Sequence, residues 1–331
     1  MRYNKWLAPL SFALCLLLLA TGALACSSGP KTKAAVKVVM VPYFGTWMNN
    51  YAIMNGLITS DKVDVTIDLT TSNDAQLLAG AYPIGAMSIT GFATATEKSD
   101  IAFQAMGIYL ADTGLESGLG LDIVYTKADS KLTSPRDLVG KKVGVPGLQT
   151  AAAGTFLGLL KSIYGIDETQ MTLVDSPAPQ LITLLGKGDL DAALLLADPS
   201  VQTFYNPSYK ALWNVDQAFE HNYGTYNPAT FLVVQADYLK KNRDVVKAVY
   251  DLLKESGQYG KEHMVELSQT YVAEKGGSAE LYQKAYRDHY SVTFAPVEGQ
   301  LQASVMAIFG FVKERGIISK LPDPATVFVK W

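Results

Sequence analysis

The first part of the chain alternates between strand-like and helix-like hydrophobic patterns. Residues 63–69 show the alternation of apolar and polar side chains that is typical of a half-buried strand. In chain order, the predicted elements are a strand at 36–41, a helix at 50–57, the strand at 63–69, a helix at 74–79 and strands at 84–89, 101–107 and 121–126. Strands that alternate with helices predict a parallel sheet covered by helices.

The same rhythm recurs further along the chain. The second set comprises strands at 141–146, 171–174 and 192–197, a helix that begins at Thr150 and a helix at 180–185. Phe156, Leu159, Leu160 and Ile163 recur at the spacing of one helix face, and Gly165 is placed to end that helix. Two units of this kind predict two α/β lobes.

After Pro228 the pattern becomes mostly helical. Residues 230–234 are strand-like, an amphipathic helix follows, and the remainder is predicted to be helical up to Trp331. One strand followed by helices is explained more simply if the chain returns to the first lobe than if it forms a third domain. The predicted division is therefore lobe one at 34–126 and 230–331, and lobe two at 127–229.

The first 33 residues have the pattern of a secretory leader followed by a tether. Arg2 and Lys5 precede a long apolar run, and small residues then lead to Cys26. This order predicts a signal peptide over 1–25, a flexible Ser/Gly/Lys tether over 26–33 and a protein that works outside the cytoplasm. The cysteine directly after the small residues resembles a bacterial lipoprotein signal, which implies a lipid on Cys26 and attachment to the membrane.

Two alternatives for the leader stay open. Ala23-Leu24-Ala25 also suits ordinary signal peptidase, which would give a secreted or periplasmic protein. The apolar run, at about 20 residues, is also long enough to span a bilayer uncleaved. Cysteine usage favours lipidation, because Cys15 would leave with the leader and Cys26 would then have no disulfide partner.

Charge and motifs limit the classes of function. Without Arg2 and Lys5, 26 of the 28 basic residues remain against 31 acidic ones. No basic surplus exists to neutralise phosphates, so nucleic acid is not an expected partner. His221, His263 and His289 lie far apart, and the sequence contains neither a G-x-S-x-G elbow nor a phosphate loop. We therefore expect no metal, no cofactor and no catalytic centre.

Three segments together resemble the solute-binding proteins of ABC importers, in the nitrate, sulfonate, taurine and thiamine-precursor-binding group. Residues 181–193 (LITLLGKGDLDAA) are similar to that family's amphipathic helix, glycine, aspartate and buried strand. Residues 137–146 (DLVGKKVGVP) are similar to the start of its second lobe. Residues 80–91 are similar to the segment that ends at the cleft on a small hydroxyl residue and a glycine, here Thr90 and Gly91.

The resemblance covers most of residues 36–240 and departs from the family pattern at one position. The family usually has aspartate three residues after Gly80, where this chain has Pro83, whereas the corresponding Asp191 of lobe two is retained. We interpret Pro83 as an altered turn, since that aspartate usually lies behind the cleft. The resemblance implies a two-lobed, type II periplasmic-binding-protein-like fold in the α/β class, with each lobe a mostly parallel sheet flanked by helices.

The ligand site is expected at loops that follow predicted strands, because ligands of open α/β sheets collect at the carboxyl ends of the strands. These loops are 43–47, 90–92, 147–150 and 198–199. The candidate ligand-binding residues are Tyr43, Phe44, Trp47, Thr90, Gly91, Gln149, Thr150, Asp198 and Tyr226. Most candidates also have an alternative role. The aromatic residues of the first loop could be core residues, and Tyr226 could belong to the hinge. Capping is the alternative for Gln149, Thr150 and Asp198.

The resemblance implies a monomeric lipoprotein that captures a sulfonate, nitrate, taurine or heterocyclic nutrient by hinge closure and delivers it to an ABC permease and its ATPase. An extracytoplasmic enzyme and a sensor-associated binding protein on the same fold are the alternatives. No arginine is placed at the loop tips. An anion would therefore depend on helix N-termini and hydroxyl groups, and a heterocycle on stacking against Tyr and Trp.

Overall fold

The structure is a computed structural model that describes residues 32–112, 119–287 and 293–331. The predicted leader and Cys26 lie outside the described residues. In the part of the chain that is described, no helix is both long enough and apolar enough to cross a membrane.

The strands form two sheets of five strands each. The first sheet contains β1 (Ala34–Met40), β2 (Val63–Leu69), β3 (Ile84–Ser88), β4 (Phe103–Asp112) and β10 (Asn227–Gln235). Its strand order is β2-β1-β3-β10-β4, with β1 parallel to β2 and β3, and β10 antiparallel to β3 and β4. All but one strand therefore run in the same direction.

The second sheet repeats this arrangement. It contains β5 (Asp122–Lys127), β6 (Lys142–Val145), β7 (Thr172–Asp175), β8 (Ala192–Leu196) and β9 (Tyr209–Asn214). The order is β7-β6-β8-β5-β9, and β5 is the antiparallel strand. The predicted α/β class with two mostly parallel sheets is confirmed.

Helices flank both sheets. They are α1 (Phe44–Met54), α2 (Asn73–Leu78), α3 (Ile89–Lys98), α4 (Ala151–Tyr164), α5 (Ala178–Lys187), α6 (Ala197–Phe204), α7 (Val215–Tyr223), α8 (Ala236–Lys241), α9 (Arg243–Glu262), α10 (Met264–Lys275), α11 (Ala279–Tyr286), α12 (Gly299–Glu314) and α13 (Pro324–Val327). Short 3₁₀ turns occur at Pro135–Leu138 and Glu168–Gln170. As predicted, Gly165 ends α4, in the left-handed conformation with φ of 68°.

Three segments that the sequence analysis treated as loops are helical. Phe44 and Trp47 lie in the first turn of α1, Thr90 and Gly91 in the first turn of α3, and Asp198 in the first turn of α6. In each case the helix starts within a few residues of the preceding strand. Ser88 is both the last residue of β3 and the N-cap of α3, and its side chain accepts a hydrogen bond from the Gly91 N–H.

One strand lies outside its predicted lobe. Residues 121–126 were assigned to lobe one, but β5 is hydrogen-bonded between β8 and β9 in the second sheet. The reason is that an apolar strand carries no local mark of the sheet with which it pairs. The exact lobe boundaries stay predictions.

A single hydrophobic cluster connects the two sheets. It contains Val39 and Phe231 from the first sheet, Val143 from the second, and Phe156 and Phe309 from the helices between them. The helices α4 and α12 approach closely at Gly158, where an added Cβ would collide with the ring of Phe311. Residues 34–331 form one compact unit as a result.

Candidate functional site

A cavity of about 440 Å³ is lined by residues of both sheets. From the first sheet, Tyr43 follows β1, residues 71–75 lead into and begin α2, and Ser88 ends β3. From the second, residues 147–152 follow β6 and Asp175 ends β7. The cavity therefore lies where the carboxyl ends of the parallel strands meet, as the sequence analysis predicted from the topology of open sheets.

The antiparallel strands contribute their amino-terminal halves to the same cavity. Asp122 is the first residue of β5, and Thr230 lies on β10 opposite Ser88 of β3. Because an antiparallel strand begins where its parallel neighbours end, both residues reach the edge at which ligands are expected.

Asp122 is a buried carboxyl group in the cavity wall. The residue is 3% exposed and lines the cavity, and the hydrogen bonds described for Asp122 are made by its backbone. Burial, together with repulsion from Asp216, raises its pKa well above the usual value. Asp216 itself accepts the N–H groups of Leu121 at 2.7 Å and Asp122 at 2.9 Å, and the side-chain amide of Asn227 at 3.0 Å. Asp216 is thus satisfied within the protein, whereas Asp122 faces the cavity.

The start of α4, which follows β6 of the second sheet, provides hydrogen-bond donors to the cavity wall. Thr150 is the N-cap, and its hydroxyl accepts the Ala153 N–H at 3.2 Å. The N–H groups of Ala151 and Ala152 belong to the first turn, where no intrahelical acceptor exists, and both residues line the cavity. This wall favours an acceptor or a partial negative charge on a ligand.

A second carboxyl group in the wall, the half-buried Asp74, accepts hydrogen bonds from its neighbours. Its oxygens accept hydrogen bonds from the Ser88 hydroxyl at 2.6 Å, the Ser88 N–H at 3.1 Å and the Asn73 amide at 2.8 Å. Burial raises the pKa of Asp74. Gly91 leaves the space for this network, because an added Cβ would collide with the Asp74 carboxylate and the Ser88 hydroxyl. The network therefore holds α2 and α3 against β3.

Asp198 lies behind the cavity and links helices that are far apart in sequence. Its carboxylate accepts the Phe44 N–H at 3.2 Å, the Tyr271 hydroxyl at 2.7 Å and the Tyr286 hydroxyl at 3.1 Å. Burial raises the pKa of Asp198 to about 6, although these hydrogen bonds act to lower it. Asp198, predicted to face the cleft or to cap the turn before Pro199, instead caps the N-terminus of α1.

The aromatic residues of the first predicted loop pack around that carboxylate. Phe44 is fully buried, with ring centroids 5.1 Å from Tyr271, 4.9 Å from Tyr282 and 5.2 Å from Tyr286. Trp47 joins the same cluster 5.2 Å from Tyr271. Neither Phe44 nor Trp47 lines the cavity, so the core alternative describes their position better than a cleft wall.

The structure separates the candidate residues into three groups. Those that line the cavity are Tyr43, Gln149 and Thr150. Those that support it from behind or between the sheets are Phe44, Trp47, Thr90, Gly91 and Asp198. Tyr226 is half-buried against the large hydrophobic cluster, just before β10. Ligand contact by any of these residues stays a prediction.

The sequence analysis missed Asp122, Thr230 and Ser88 as cavity residues. The candidates were residues located after a predicted strand, whereas Asp122 and Thr230 lie within strands that run in the opposite direction. One signal was available for Asp122, since its charge directly precedes the apolar residues Ile123 and Val124 of β5. Among the described residues, no group of three or more His, Cys, Asp or Glu side chains is placed to hold a metal ion.

Comparison with known proteins agrees with this architecture. Residues 120–266 match the family described as NMT1/THI5 like. Over 119 residues, or 35% of this chain, the sequence is 30% identical to the taurine-binding periplasmic protein of Escherichia coli K12. The match spans only about a third (34%) of that relative's length.

Solved structures resemble most of the chain. The periplasmic aliphatic sulphonate binding protein SsuA of Escherichia coli matches with a TM-score of 0.70 and 12% identity, over 89% of this chain and 97% of SsuA. The Candida albicans protein CA3427, described as having the generic periplasmic binding protein structural fold, matches with a TM-score of 0.68 and 16% identity, over 89% and 96%. The chain has the periplasmic-binding-protein fold.

The periplasmic-binding-protein fold and the family match together confirm the predicted resemblance. The matched segment, 120–266, includes both the 137–146 and the 181–193 motifs that carried it. The taurine-binding relative and SsuA are both named as periplasmic binding proteins, and neither name describes an enzyme.

Proposed function

We propose that the protein is an extracytoplasmic solute-binding protein that captures a small molecule in the cavity between its two sheets. The observation that carries this proposal is the cavity itself: about 440 Å³, lined from both sheets at their strand ends. Small-molecule sites occupy roughly 300–1,000 Å³ and are found at such topological positions. The names of the relatives, which bind taurine and aliphatic sulphonates, support a small organic solute or nutrient as cargo.

The proposed mechanism is closure of two lobes over the solute. Two hydrogen bonds connect the loop after β6 with helices outside the second sheet: the Thr90 hydroxyl of α3 donates to the Gln149 carbonyl at 2.6 Å, and the Arg315 guanidinium at the end of α12 donates to the Leu148 carbonyl at 3.1 Å. A solute that touches both walls adds to these contacts only in the closed form. Its binding energy therefore sets the closed population, and a closed monomer presents the solute unchanged to an ABC permease and its ATPase.

Filling the cavity is expected to abolish solute binding. Ala75 is exposed at the cavity rim on α2, so tryptophan there places its ring in the cavity while the core stays intact. A thermal-shift screen over taurine, alkanesulfonates, nitrate, amines and pyrimidines should identify a compound that raises the melting temperature. Isothermal titration should then give one site, and at least a 100-fold weaker affinity in Ala75→Trp.

Ala79→Trp is the matched control, because Ala79 is exposed at the end of the same helix and does not line the cavity. This variant should bind like wild type. Equal binding by wild type and Ala75→Trp would show that the solute binds elsewhere. Conversion of the bound compound by the pure protein, followed by NMR, would refute a pure binding role.

Lipid attachment at Cys26 is the second part of the proposal. It is supported by the small residues Ala23-Leu24-Ala25 before a cysteine that has no partner thiol after Cys15 is removed. Mass spectrometry of the protein from its native host should show a mature N-terminus at a diacylglycerol-modified Cys26. Cys26→Ser should move the protein from the membrane to the soluble fraction, and an unmodified thiol on the wild-type protein would reject the anchor.

A further inference from the structure

We infer that the solute carries a positively charged nitrogen, which pairs with the carboxylate of Asp122. This inference rests on the proposed solute-binding function and specifies the chemical class of the cargo. It follows from the charges in the cavity wall, from the polar groups that have no partner there, and from the positions of those groups.

The charged groups in the described cavity wall are all acidic. Asp74, Asp122 and Asp175 line the cavity, and none of its described lining residues is Lys, Arg or His. Asp175 accepts the N–H groups of Gly147 at 3.0 Å and Leu148 at 3.2 Å. Asp74 is held by Ser88 and Asn73. Asp122 is therefore the carboxyl group in this wall that is left for a ligand.

Asp122 and Thr230 both line the cavity, and both residues are nine-tenths or more buried. Asp122 is 3% exposed and Thr230 is 8% exposed, and the Thr230 hydroxyl is buried without a partner. Buried polar groups in folded proteins are satisfied in the great majority of cases. Asp122 belongs to the second sheet and Thr230 to the first, so a ligand whose hydrogen-bond donors reach both residues contacts both walls.

A cation fits this wall better than an anion. The helix α4 contributes roughly half a positive charge at its N-terminus, whereas Asp122, Asp216 and Asp198 add carboxyl groups in or directly behind the wall. An anion near Asp122 would meet repulsion in a medium of low dielectric constant. A cation instead supplies the counter-charge that Asp122 lacks. Tyr43 and Tyr286 also line the cavity, and a tyrosine ring attracts a cation at its face.

Binding of a cation should displace a proton. The titratable groups nearest Asp122 are Asp216 on α7 and Tyr43 before α1, and neither is positive. Burial and the neighbouring Asp216 raise the pKa of Asp122, so this carboxyl group ionises at a higher pH than an exposed aspartate does. A permanent cation requires the ionised form, so affinity should rise with pH, by up to tenfold per unit below the pKa of Asp122.

The first experiment compares pairs of compounds that differ in the charged nitrogen. Titration calorimetry with taurine against isethionate, and with choline against 3,3-dimethylbutan-1-ol, keeps size and shape nearly constant within each pair. We expect at least one nitrogen cation to bind, at least tenfold more tightly than its counterpart. Binding confined to anionic or neutral compounds, or equal binding within the pairs, overturns the inference and leaves the solute-binding proposal intact. Failure of every cationic compound to bind also overturns it.

The second experiment uses Asp122→Asn, which keeps the shape and removes the charge. The variant should bind the cation at least tenfold more weakly, should no longer distinguish the members of a pair, and should lose the pH dependence of affinity. Its melting temperature should stay equal or rise, because removal of Asp122 ends its repulsion with Asp216. Asp64→Asn, at an exposed position of β2, is the control and should change neither property. Unchanged discrimination in Asp122→Asn would show that another group selects the cargo.

Discussion

Replacement of Asp198 by alanine is expected to lower the free energy of unfolding by about 3 kcal/mol at pH 7. The substitution removes the acceptor of the Phe44 N–H and of the Tyr271 and Tyr286 hydroxyls. A buried donor that loses its partner costs about 1–3 kcal/mol, and the three losses occur at one site. Denaturant unfolding should show a lower midpoint with an unchanged slope, since the fold itself is kept.

Two control variants separate the hydrogen bonds from general effects of the substitution. Asp198→Asn keeps the volume and one acceptor oxygen, so about half of the loss is expected. Asp189→Ala, at an exposed position after α5, should stay within about 0.5 kcal/mol of wild type. If Asp198→Ala is as stable as Asp189→Ala, the carboxylate does not hold α1 in place.

The elements that could be predicted are those whose pattern is local. β2 was predicted with its observed bounds, because its alternation of apolar and polar residues spans the whole strand. The start of α4 at its Thr150 cap and its end at Gly165 follow from two residue types with strong positional preferences. The two repeats of strands and helices predicted the two sheets for the same reason.

The elements that could not be predicted depend on contacts between distant residues. The start of α1 at Phe44 is fixed by Asp198, which is 154 residues away in the sequence. The sheet to which β5 belongs is likewise fixed by its pairing with β8 and β9. Neither contact leaves a mark in the local pattern of hydrophobic residues.

The candidate site shows the same division. Tyr43, Gln149 and Thr150 were found because they follow strands that run parallel to their neighbours. Asp122 and Thr230 were missed because their strands run the other way. Strand direction follows from pairing, and pairing is a tertiary property. The place of Asp122 and Thr230 at the cavity therefore depends on strand pairing, which the local sequence pattern does not predict.

Acidification of the ligand-free protein from pH 7 to pH 5 is expected to increase its stability by about 2–3 kcal/mol. Burial raises the pKa of Asp198 and of Asp216 to about 6, whereas an unfolded chain has an Asp pKa near 3.9. Between these values the folded state binds more protons than the unfolded state, so stability rises as the pH falls. Asp122, whose pKa is also raised, acts in the same direction.

The trend should reverse in more acidic solution. Below about pH 4 the buried carboxyls are protonated in both states and contribute nothing further. Asp137 and Asp167 have pKa values lowered by hydrogen bonds from backbone N–H groups, so the folded state loses those interactions as they take up protons. Denaturant unfolding at constant ionic strength should therefore show maximal stability between about pH 4 and 5. Asp198→Asn should remove about half of the gain in stability that Asp198 and Asp216 provide. A wild-type stability that falls steadily from pH 7 to pH 5 would contradict the raised pKa values.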